Sequence, residues 1–171
     1  MRWTRRIVTL PPAVVTGGFV LLFVAADVLI DLAPLRGRAW SIAFWGSMFA
    51  LIAPLMVWHY SLYREAMRAR ARSPGLALLF VGPLIAILAW TALPLSDAVW
   101  IVLIPTHLSY FVSIWCAARE LVLYEAGAAE RTWTKVLGTF LLEFYLPVGV
   151  WFLHPRIKRM IAASDQQRVV E

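Results

Sequence analysis

The chain has 171 residues, 61% of them hydrophobic, with a net charge of +6 and a mean hydropathy of +0.74. That composition is too apolar for an ordinary soluble domain of this length and reads as a helical membrane protein. Nucleic acid is excluded as the target of the positive charge: Lys and Arg sit at the ends of apolar segments, where they face anionic headgroups, and no basic-aromatic platform joins them.

The chain opens with Arg2, Arg5 and Arg6, and an apolar run follows. That run is too long for the core of a signal peptide and carries Asp27 and Asp31 near its end, so it reads as a retained first span over 12–32. Further spans are predicted over 39–62, 75–95 and 98–121, each long enough for a hydrocarbon core of ~30 Å. The third and fourth are joined by little more than Ser96 and Asp97, which predicts a tight antiparallel hairpin. Between the second and third lies an arginine loop over 63–73 with Arg64, Arg68, Arg70 and Arg72. The stretch 119–135 is mixed in charge and reads as helical.

The fifth apolar segment, 136–153, differs from the others. It contains Glu143, Pro147 and Gly149, and His154 and Pro155 are expected to stop it before Arg156, Lys158 and Arg159. With the N-terminus inside, ten Lys and Arg residues precede this segment on the inner side and two lie outside, Arg36 and Arg38. If the segment turns back, Arg156, Lys158, Arg159 and Arg168 join the inner side and the asymmetry becomes fourteen to two. That asymmetry favours a re-entrant segment with the turn at Pro147–Gly149, and a fifth span is the alternative. The predicted fold is therefore all-α: one integral membrane domain over 1–171, a polytopic bundle of four spans plus a fifth Pro-broken segment, re-entrant or spanning. It is placed in a bacterial inner membrane with the N-terminus cytoplasmic.

Ionisable residues inside membrane segments are costly and mark candidate sites. Asp27 lies about 22 Å into the first span at 1.5 Å per residue, and His107 lies at a similar depth in the fourth. Asp31 is one turn beyond Asp27 on the same face. In the fourth span Thr106 or His107, Tyr110, Ser113, Ala117, Glu120 and Tyr124 recur at helical spacing, so that face is expected to point into the bundle. In the fifth segment Arg131, Lys135, Thr139 and Glu143 recur every fourth residue and form a second polar stripe. At the inner side His59, Arg119 and Glu143 form a candidate cluster, which His154 and Arg156 join if the fifth segment returns. Each group also has a plain reading as hydrogen-bonding or ion-pairing glue between helices. Ala43, Gly46, Ser47, Ala50 and Ala53 form a small-residue seam on the second span, suited to close helix packing. Pro54, Pro83, Pro105 and Pro147 are each expected to kink a helix.

The sequence holds no metal-ligand spacing, no nucleophile elbow and no phosphate-cradling loop, and Cys116 is the only cysteine. No metal and no cofactor are expected.

The stretch "LPVGVWFLHPRIK", 146–158, resembles the C-terminal motif of a group of small, uncharacterised bacterial inner-membrane proteins. Pro147, Gly149, Trp151, Phe152, Pro155, Arg156 and Ile157 match that motif; the group has Gln at position 154 and Asn at 158, where this chain has His and Lys. The resemblance implies a membrane location and a special C-terminal segment, and no catalytic role. The sequence thus reads first as a non-enzymatic structural or accessory subunit whose partners are the lipid bilayer and a membrane protein or a second copy. Two alternatives stay open. One is a small oligomeric transporter or channel using Asp27, His107 and Glu143. The other is a membrane enzyme with an inner-face site of Glu143, His59 and Arg119.

Overall fold

A computed structural model describes the whole chain except residues 1–2, 33–37, 74, 86–87, 89–98, 127–132 and 171. The described residues contain helices and no strand. In order they are α1 (Trp3–Val8), α2 (Pro12–Leu32), α3 (Arg38–Ala69), a 3-10 turn (Ala77–Phe80), α4 (Val99–Ala126), α5 (Trp133–Phe144) and α6 (Leu146–Val170). The predicted first span coincides with α2, whose Pro12 sits where a proline is best tolerated, at a helix start. The predicted turn at Ser96 and Asp97, and residues 86–87 and 89–95 of the third span, lie outside the described residues; the described start of that span runs through a turn and the 3-10 segment Ala77–Phe80 and is not a continuous α-helix.

Two expectations need correction. The arginine loop is largely helix, because α3 runs on to Ala69 and turns only at Ala71, which adopts a positive φ of 53°. Glu65, Arg68 and Ala66 are good helix formers, and the turn comes where the chain must reverse. The second correction concerns His154 and Pro155, which do not stop the fifth segment. Pro155 lies inside α6, and the helix continues to Val170. Pro147, by contrast, falls in the first turn of α6, where a missing N–H costs little.

The core gathers at one end of the bundle. Trp58, Leu62, Tyr63 and Ala66 of α3, Ala117 and Leu121 of α4, and Leu146, Val150, Leu153, Ile157 and Met160 of α6 are buried together, with Val8 of α1 and Phe80 beside them. Polar ties cross the same end. Thr4 Oγ1 donates to Glu65 at 2.6 Å, Arg5 pairs with Asp165 with one bond at 2.9 Å, and Arg70 pairs with Glu120. The Tyr124 hydroxyl donates to the Met160 carbonyl at 3.3 Å. Arg5 near the start of the chain thus meets Asp165 near its end.

That meeting requires the chain to fold back between α5 and α6. The bend falls at Tyr145. Pro147 has no N–H to offer the Glu143 carbonyl four residues earlier, so the helical ladder is interrupted there. Gly149 then lies against the Leu142 backbone so closely that a Cβ at position 149 would overlap the Leu142 carbonyl oxygen. Past the bend Arg156 of α6 reaches Thr139 of α5, 3.1 Å between Nη1 and Oγ1. On the other side α6 runs against the start of the chain: Thr16 donates to the Pro147 carbonyl at 2.7 Å, and His154 Nε2 lies 3.4 Å from the Thr9 carbonyl.

The other half of the molecule is apolar on its outside. Exposed large side chains include Val20, Leu21, Phe23 and Val24 on α2, Trp40 and Ile42 on α3, and Ile104 and Leu108 on α4, with Leu21 72% and Phe23 64% exposed. Residues Ile42–Ala69 form a helix long and apolar enough to cross a membrane, and only 17% of its apolar window is buried. A core helix of a soluble bundle would be mostly buried. Along the α4–α5 contact runs a chain of rings, Trp133, Trp115, Phe140, Phe111 and Phe144, with successive centroids 4.9 to 6.4 Å apart.

Candidate functional site

The buried face of α5 carries the second half of the polar stripe read from the sequence, and Arg131 of that stripe lies outside the described residues. Val136, Thr139 and Glu143 are its buried residues, and Lys135 one turn earlier is exposed. Glu143 is completely buried, and neither carboxyl oxygen has a hydrogen-bond partner. The nearest opposite group is His59 of α3, also completely buried, with Nε2 3.9 Å from Oε2.

The backbone fixes how His59 sits. Its Nδ1 donates to the Leu55 carbonyl, one turn back on α3, at 2.8 Å. Its Nε2 lies 3.3 Å from the Glu143 backbone carbonyl, the group that Pro147 leaves without a helical donor. Trp58 packs edge-on to the imidazole, with ring centroids 5.4 Å apart, and its own Nε1 has no partner. Both ring nitrogens of His59 therefore face carbonyl oxygens, and a neutral imidazole has a single N–H to give. A carboxyl group with no donor stands beside it.

Toward the surface the stripe continues. Arg156 bonds Thr139 and also pairs with Glu125 at the end of α4, with Nε to Oε1 at 2.8 Å. Arg156 and Glu125 are partly exposed and Thr139 is buried. The line Glu125–Arg156–Thr139–Glu143–His59 thus leads from the end of the bundle that holds Arg5 and Asp165 to its interior. Glu125 was not singled out in the sequence, where its place in a mixed-charge stretch gives no signal. The same holds for the buried Thr4–Glu65 bond, which joins residues far apart in the chain.

The remaining candidates fall elsewhere. Arg119 bonds its neighbour Glu120 at 2.9 Å and makes no hydrogen bond or ion pair with His59 or Glu143. Glu120 is buried with Arg70 and Arg119, a structural tie between α3 and α4. Ser113 and Ala117 are buried and Tyr110 is half-buried, so the α4 stripe faces inward from Tyr110 onward, whereas His107 is exposed. Asp27 is exposed on α2. The Asp31 side chain lies outside the described residues. His154 is half-buried against α1. Among the described residues no group of three His, Cys, Asp or Glu side chains could hold a metal ion.

Comparison with protein-family models, with curated proteins and with solved structures finds no match for this chain.

Proposed function

We propose that this chain is a multi-pass protein of the bacterial inner membrane that acts as a non-enzymatic accessory subunit, through contacts with lipid and with a partner helix. In this reading the four spans read from the sequence, 12–32, 39–62, 75–95 and 98–121, cross the bilayer. The α5–α6 hairpin is re-entrant and returns the chain to the cytoplasmic side. The observation that carries the reading is the outward apolar surface of α2, α3 and α4, with Leu21, Phe23, Ile42, Ile104 and Leu108 exposed together. Water would not tolerate so extended an apolar face on a monomer. The exposed cations Arg6, Arg72, Lys158 and Arg159 gather at the opposite, well-packed end, as a cytoplasmic face requires. Tyr145, Trp151 and Phe152, all more than half exposed, give the bend of the re-entrant hairpin an apolar outer surface.

The transporter reading needs Asp27, His107 and Glu143 on one pathway, and exposed Asp27 and His107 do not share the buried setting of Glu143. The enzyme reading needs Arg119 beside Glu143, and Arg119 is engaged with Glu120. Both are therefore less well supported than the accessory subunit.

Membranes washed at alkaline pH should retain the chain, and a lipid-borne photoactivatable probe should label Leu21 and Phe23 in preference to Leu62 and Ile157. Release by the alkaline wash, or labelling without that preference, would contradict the reading.

A further inference from the structure

We propose that His59 and Glu143 form a proton-exchange site that communicates with the termini-bearing end of the bundle through Thr139 and Arg156. The argument starts from the hydrogen-bond inventory. Two carbonyl oxygens, of Leu55 and Glu143, lie 2.8 and 3.3 Å from the two ring nitrogens. Only a doubly protonated ring can donate to both. The Glu143 carboxyl 3.9 Å away is the available source of the second proton. In one state Glu143 carries the proton and the pair is neutral. In the other the Glu143 O–H bond is broken, an N–H bond is formed at His59 Nε2, and a carboxylate stands beside an imidazolium. The transfer conserves the one shared proton, and across 3.9 Å it runs through one bridging water or a closer approach of the two groups.

A structural pair would have its polar atoms satisfied, as Glu65 is by Thr4 and Glu120 by Arg70. Glu143 differs, with two buried oxygens lacking any donor. Among the described residues the charged groups facing the pair are few. From α6 comes Arg156, whose charge acts on Glu143 and which is itself paired with Glu125 of α4; from α3 comes His59 alone. Arg156 closes the line between Glu143 and the outside. The site does not depend on how the chain is oriented in a membrane, so it stands or falls separately from the accessory-subunit reading.

Infrared spectroscopy of the purified full chain in lipid tests it. A protonated-carboxyl stretch that shifts in D2O is expected, with the shifted band lost in Glu143→Gln. In Arg156→Gln the band should exchange severalfold faster than in the wild type. Peptide mapping after treatment of the wild type with a hydrophobic carbodiimide should find the adduct on Glu143, a readout that needs no variant. A carboxyl band that never exchanges in D2O would overturn the proposal. So would carbodiimide adducts on Glu65 or Glu120 but not on Glu143, or exchange unaffected by Arg156→Gln in a variant that retains the wild-type helix content.

Discussion

Glu143 and Gly149 are the two residues that most constrain this molecule, for opposite reasons. Glu143 places a carboxyl where no donor meets it, which is unfavourable for stability. Glu143→Met, of similar length, is therefore expected to leave thermal stability unchanged or to raise it by about 1–2 kcal/mol, as replacing buried ionisable groups by apolar ones often does. A marked loss in thermal unfolding would mean that the carboxyl is part of the packing. Gly149 is required sterically, since any Cβ there overlaps the Leu142 carbonyl. Gly149→Ala is expected to cost about 3 kcal/mol, at the upper end for overpacking. Gly138 on the same hairpin has open space around its Cα, so Gly138→Ala should be neutral or stabilising by about 0.5–1 kcal/mol. Thermal melts of the two variants side by side check the contrast.

Helices were legible where apolar length alone decides, and less so where polar residues continue them. The 12–32 reading matches α2 because its ends coincide with the ends of the apolar run. The end of α3 was missed because Arg64, Glu65 and Arg68 look like loop residues in an apolar chain, although Glu65 is buried against Thr4 and helix continues around it. The extension of α6 through Pro155 was missed for a related reason. A helix packed along Val150, Leu153, Ile157 and Met160 tolerates an interior proline that local propensity would forbid. Of the α5 stripe, Thr139 and Glu143 are buried as the four-residue spacing suggests and Lys135 is exposed, while Glu143 and His59 do lie in one cluster. Which cation joined them was not legible in the sequence, because choosing between Arg119 and Arg156 depends on the bend at Tyr145. The ties between elements also differ in weight. Arg5 and Asp165 are each nearly half exposed, so Arg5→Ala should shift stability by less than about 1 kcal/mol. Glu120 is buried between two arginines, and Glu120→Gln should cost about 3 kcal/mol because Arg70 then loses its partner charge. Denaturant melts would separate the two.

At the scale of the whole molecule the bundle has two unlike halves. One is a packed core of α1, the ends of α3 and α4, and α6, fastened by ion pairs. The other presents apolar side chains outward and is suited to lipid. α6 belongs to the first half, and the bend at Tyr145 that returns it from α5 determines where the C-terminal helix lies. The most direct measurement of that return is the sidedness of Arg6→Cys and Arg159→Cys, made singly in a Cys116→Ala background and treated with a membrane-impermeant maleimide. Both positions should be protected in intact cells and labelled once the inner membrane is permeabilised. Labelling of position 159 but not position 6 in intact cells would place the two ends on opposite sides and contradict the fold-back.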